Sequence, residues 1–126
     1  MNRKMLILGS ILGGLAVLLG AFGAHGLEKL VDADVVSSFE TGVRYQMYHS
    51  LLLLLLGGVL KCSEKRKAIL FYLLLFGVLL FSGSIYLLST QQATNIDFTS
   101  IALLTPLGGT LLMVCWGILI YTFFKS

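Results

Sequence analysis

Residues 51–81 read LLLLLLGGVLKCSEKRKAILFYLLLFGVLLF. Two apolar runs meet there across a short link that carries Lys61, Lys65, Arg66 and Lys67. Followed outward from the link, the runs extend over about 35–60 and 68–89. Each matches or exceeds the roughly 20 residues that cross the hydrocarbon of a bilayer as a helix. Two such runs joined by a basic link describe a helical hairpin that enters and leaves a membrane on one side.

Two further runs flank the hairpin, at about 5–24 and 98–124. Helices are the only open structure that satisfies its own backbone in lipid, and no ten-residue alternating strands occur. Composition agrees. Of 126 residues, 57 % are hydrophobic and 12 % charged, with a mean hydropathy of +0.94. Soluble domains carry about a quarter charged residues. The expected fold is an all-α membrane protein: an antiparallel bundle of four transmembrane helices forming a single domain over 1–126. The first run follows Arg3 and Lys4 and ends near Ala21-Phe22-Gly23, in the manner of a signal peptide. It is longer than a signal core, so we read it as a true span.

Seven of the nine basic residues fall on one side of this arrangement: Arg3, Lys4, Lys61, Lys65, Arg66, Lys67 and Lys125. Lys29 lies in a loop on the other side, and Arg44 lies inside the second run. Basic loops stay in the cytoplasm, which places both termini and the 61–67 link there. The charges sit at the ends of apolar runs rather than on one solvated face, so the net charge of +3 does not point to nucleic acid. The implied partner is the lipid bilayer.

Laid antiparallel, the runs bring their unusual residues to one depth. The outer end of the first carries Gly20-Ala21-Phe22-Gly23-Ala24-His25-Gly26, and the outer half of the second carries Glu40, Arg44, Tyr45 and Gln46. The third contributes Ser82-Gly83-Ser84-Ile85-Tyr86 and the fourth Thr105-Pro106-Leu107-Gly108-Gly109. The inner halves are plain leucine. Any site should therefore open outward, and we expect a polar pocket bounded by His25, Glu40, Arg44, Tyr86 and Thr105. Glu40 and Arg44 are spaced i, i+4, which puts them on one helix face within pairing distance. Ionisable groups inside a span are costly unless paired and turned inward. The pair is either a charged floor to the pocket or a structural tie between helices.

Tyr45 and His49 fall nearer mid-membrane as buried polar groups. His49 turns away from the Glu40/Arg44 face and is expected to bond a carbonyl or hydroxyl across a helix contact. His25 and His49 differ in depth by roughly 20 Å, too far to share a metal. No cofactor or metal site is expected, and neither Cys62 nor Cys115 signals a disulfide. Gly9, Gly13, Ala16, Gly20 and Gly23 form a small-residue stripe that lets another backbone approach closely. Its partner is either another helix of the same chain or a second copy, which would make a homo-oligomer through the first helix. Pro106 either kinks the fourth helix or starts it at the N1 position behind Thr105.

In order along the chain, residues 20–27, 39–50, 81–86 and 105–109 resemble the pattern of the YgdD/YwdK-type family of small bacterial inner-membrane proteins. The resemblance covers nearly the whole chain. It implies a four-helix protein of the bacterial inner (cytoplasmic) membrane without an assigned reaction, so it transfers no catalytic residues. With no nucleophile elbow, phosphate loop or triad in view, we expect a non-enzymatic protein that supports envelope integrity or a partner complex. The alternative is a small-molecule or lipid-binding protein, or a transporter, using the outward pocket.

Overall fold

The computed structural model describes residues 1–125, and the fold is helical throughout. Four long helices carry it: α1 (Asn2–His25), α2 (Ala33–Val59), α3 (Glu64–Ser89) and α5 (Leu104–Lys125). Between α3 and α5 lie a single helical turn, α4 (Gln91–Thr94), and a 3-10 turn (Thr99–Ile101). Another 3-10 turn (Leu27–Lys29) links α1 to α2.

Local chemistry sets the boundaries. Ser63 caps α3, its side chain accepting from the Arg66 N–H at 3.2 Å, where the helix's own bonding pattern supplies no acceptor. Asp34 lies in the first turn of α2, where a carboxylate favours the positive end of the helix dipole. Asn95 adopts a left-handed φ of 59° and ends α4. Asp97 then anchors the next turn, accepting from the Thr99 hydroxyl at 2.5 Å and the Thr99 N–H at 2.9 Å. Those two bonds hold its carboxyl below the usual value.

Pro106 does neither of the things its sequence suggests. Helix α5 begins two residues earlier, at Leu104, so the proline sits in the first turn. Its missing N–H is one that the helix could not use there, and no kink is needed.

Successive long helices pack antiparallel. Along α1 and α2 the neighbours run from Asn2 at Gly57, through Gly9 at Ser50, to Gly23 at Phe39. Along α2 and α3, Gly42 meets Tyr86 and Ile85. Along α3 and α5, Arg66 reaches Thr122, Gly77 meets Leu112, and Ser84 bonds Thr105. The chain start, the 60–63 turn and the end of α5 therefore share one end of the molecule. Two ties close that end: the Met1 ammonium to Glu64 at 3.1 Å, and buried Lys67 to Asn2 Oδ1 at 2.7 Å.

Three stretches are long and apolar enough to cross a membrane: Asn2–Lys29, Glu64–Ser89 and Thr99–Lys125. Helix α2 is not among them. Its 27 residues reach about 40 Å, longer than the hydrocarbon, but its N-terminal half is too polar to qualify by composition.

Glycine sets how closely the helices approach. A Cβ on Gly108 would stand 2.3 Å from the Phe81 backbone nitrogen and 2.8 Å from the Gly77 oxygen. The expected small-residue stripe of α1 lies against α2, with Gly9 facing the Ser50 carbonyl, Gly13 the Ser50 hydroxyl, Gly20 Val43 and Gly23 Phe39, and with Ala16 buried. The stripe is thus covered by α2 within the chain.

Gly108→Ala should therefore force α3 and α5 apart, lowering stability in detergent by about 1–3 kcal/mol, the usual cost of overpacking. Gly117 has open space around its Cα. Gly117→Ala should leave thermal melting unchanged or raise it, since alanine favours the helix by up to about 1 kcal/mol.

Candidate functional site

The polar centre of the molecule is Gln46. It lies on the buried face of α2, 3 % exposed, in line with Phe39, Gly42, His49 and Leu53. Its amide nitrogen donates to the Leu12 carbonyl of α1 at 2.7 Å, and its amide oxygen accepts from the Tyr86 hydroxyl of α3 at 2.6 Å. One side chain thereby joins three helices. One turn outward, Ser82 of α3 donates to the Gly42 carbonyl at 2.7 Å. Because α1 has small residues on this side and Gly42 has no side chain, these groups reach backbone carbonyls directly.

Two other contacts attach α5. Ser84 and Thr105 share a hydrogen bond between their hydroxyls. About halfway along α5, the Trp116 indole donates to His49 Nε2 at 3.1 Å. His49 Nδ1 lies 2.6 Å from the Tyr45 carbonyl, which can only accept, so Nδ1 carries the proton and Nε2 is the acceptor. Both ring nitrogens of this neutral tautomer are used.

The five residues expected to bound one pocket go to separate places. Tyr86 points to Gln46, and Thr105 pairs with Ser84. His25 is exposed at the end of α1. Glu40 lines a shallow surface groove of about 500 Å³ with Glu28, Lys29 and Ser37. Arg44 is exposed and donates to Thr41 of its own helix at 3.1 Å. Among the described residues the only ion pair within 4 Å is Met1–Glu64, so Glu40 and Arg44 do not pair.

Register explains the difference. Phe39 lies against Gly23, near the end of α1, so Glu40 stands level with the end of that helix and Arg44 about one turn further along α2. So close to the end of the neighbouring helix, a long exposed arginine needs no carboxylate partner. The buried face of α2 is instead the stripe that carries Gln46 and His49. Tyr45 is 40 % exposed and lies against Phe81 in a tilted ring contact, with centroids 4.9 Å apart, while His49 is buried.

Sequence reasoning placed Gln46 among the polar residues of α2 but gave it no role, and it passed over Trp116. The signal for Gln46 was present, since an amide within a span is costly by the same logic applied to Glu40. Its position one helical turn from Gly42 and His49 marks the same face.

Helices of this length and apolarity, joined through small residues and internal polar bonds, define an all-helical integral membrane protein. The chain belongs to the DUF423 family of proteins of unknown function, whose model matches residues 19–109. It is 39 % identical to a UPF0382 membrane protein of Haemophilus influenzae, over all of this chain and 98 % of the relative. It is 38 % identical to the UPF0382 membrane protein YwdK of Bacillus subtilis, over 90 % of each chain. It is 36 % identical to the UPF0382 inner membrane protein YgdD of Escherichia coli, over 94 % of this chain and 88 % of the relative. No solved structure matches the chain.

Gln46→Leu strands the Tyr86 hydroxyl, and Tyr86→Phe strands the Gln46 oxygen. Each should cost about 1–2 kcal/mol, the cost of a buried group left unsatisfied. The double variant should cost clearly less than the sum, as measured by a double-mutant cycle of unfolding in detergent. The same cycle on Glu40→Gln and Arg44→Gln should be additive, with each change within about 0.5 kcal/mol.

Proposed function

We propose that the chain is a four-span inner-membrane protein, with both termini in the cytoplasm, that acts without a catalytic step and supports the membrane or a partner complex by its packing. The observation that carries this proposal is the use made of its polar groups. Among the described residues, no buried side-chain nitrogen or oxygen lacks a hydrogen-bond partner. Gln46, Ser82, Tyr86, Ser84 and Thr105 are spent on joining helices.

The span count rests on α2. It lies antiparallel between α1 and α3 from Gly57 to Phe39, and Gln46 on that face is satisfied by both neighbours. Packed in this way, α2 crosses with the polar face shielded, although its composition alone does not qualify it. Four spans also keep the basic residues near both termini on one side, in accord with the positive-inside rule.

Reporter fusions test the topology. An alkaline phosphatase fused in the 90–98 segment should be active, and one fused after Lys125 inactive. Three spans, with α2 lying outside the hydrocarbon, would put the two termini on opposite sides. A supporting role predicts that a deletion strain takes up more membrane-impermeant dye than its parent. The Glu40→Gln protein should restore the barrier and Gly108→Leu should not. Unchanged dye uptake on deletion would refute the role in membrane integrity.

A further inference from the structure

Close backbone approach runs from α1 to α2, from α2 to α3 and from α3 to α5. Helix α5 touches the inner half of α2 more loosely, and between them lies a cavity of about 600 Å³. Leu55, Leu56 and Val59 wall it from α2, and Leu119, Ile120 and Phe123 from α5. Trp116 lines it as well, and the bond from its indole to His49 ties the two helices at mid-membrane. Lys61 lines the opposite end, just past the point where the chain turns extended at Leu60.

The dimensions are those of one leaflet. From Leu52 to Val59 the helix rises about 10 Å, and two further residues reach Lys61. Half of the hydrocarbon thickness is about 15 Å. An apolar gap of this size does not hold water stably, and left empty it would forfeit dispersion contacts along both walls. An acyl chain fills it without displacing any protein group.

The charge at the mouth selects the headgroup. At this end Lys67 is bound to Asn2, Arg66 donates to Thr122 and lies over the Tyr121 ring, and Lys125 lies over the same ring. Lys61 is exposed, lines the groove, and has no hydrogen bond or ion pair among the described residues. A cation free at the end of an apolar slot, at headgroup level, complements a phosphate whose lipid tail lies in the slot.

We propose that the α2–α5 groove binds one acyl chain of an anionic phospholipid from the leaflet at the basic end, with its headgroup phosphate held by Lys61. This goes beyond the supporting role proposed above and depends only on α2 crossing that leaflet. Reporter fusions test the crossing separately.

Trp116 is the single tryptophan of the chain and lines the groove, so it reports occupancy directly. The purified full chain is reconstituted into phosphatidylcholine vesicles with a rising share of phosphatidylglycerol carrying brominated acyl chains, which quench indole fluorescence on contact. Brominated phosphatidylcholine serves as the reference. Wild type should prefer phosphatidylglycerol by about fivefold, the effect of one lysine near an anionic lipid, and the preference should shrink at high salt. Lys61→Gln should abolish the preference, while Lys29→Gln, at the other end, should keep it. Leu55→Phe narrows the slot from a side chain already 60 % exposed, so it should fold normally while quenching by both lipids falls at least twofold. Equal quenching by the two lipids in wild type would overturn the proposal. So would a preference that survives Lys61→Gln. Protection of Trp116 from both lipids would also overturn it, because protein rather than lipid would then cover the groove.

Discussion

Lipid supplies no hydrophobic force to press one apolar helix against another, because a leucine is as well solvated by acyl chains as by another leucine. What holds this molecule together must come from close approach of backbones and from polar groups that lipid cannot satisfy. Both concentrate on a few residues. Gly108 lets α5 lie almost on the backbone of α3, and Gly9 and Gly57 do the same between α1 and α2. Gln46 supplies the polar counterpart, with one amide bonded to both neighbours of α2. Remove the glycines and the carbonyl of Leu12 recedes from Gln46, so the two devices depend on each other.

The halves of the molecule use these devices unequally. In the outer half, Ser82, Tyr86, Ser84 and Thr105 bond across helix contacts, and each bond demands a particular register. In the inner half the contacts are Leu53, Leu56, Leu70 and Leu74, which pack well in many registers. There, register is set at the very end by ties of another kind: the Met1 ammonium to Glu64 and Lys67 to Asn2. Buried Lys67 at that position is understandable only as a tie, since a lysine without a partner is almost never buried.

Much of this was written in the amino-acid order. Apolar length marked the helices, and the depth at which glycines, serines and tyrosines gather was visible once the runs were laid antiparallel. What periodicity could not supply was which face of α2 points inward. Glu40–Arg44 and Gln46–His49 both recur at helical spacing, and the choice between them depends on where Phe39 lands against α1. Because that contact is at Gly23, close to the end of α1, the charges stand on the exposed face near that helix end and have no need of each other. A depth error of one turn separates a buried ion pair from two exposed side chains. Pro106 escaped for a similar reason. Helix α5 starts at Leu104, two residues ahead of the proline and shortly after the 3-10 turn.

The arrangement is an open one. Close backbone contact runs α1–α2–α3–α5 in series, and α5 returns to α2 mainly through side chains. A closed bundle would need small residues on the facing sides of α2 and α5 at inner depth. Instead those sides carry Leu52, Leu55 and Leu56 opposite Leu119 and Ile120, which hold the backbones apart. Gly58 and Gly117, which would have allowed approach, both face open space. The Trp116–His49 bond then acts as a hinge-side tie. It fixes the two helices midway along α5 and leaves them to diverge toward the 60–63 turn, and the gap follows from that geometry rather than from any local defect in packing.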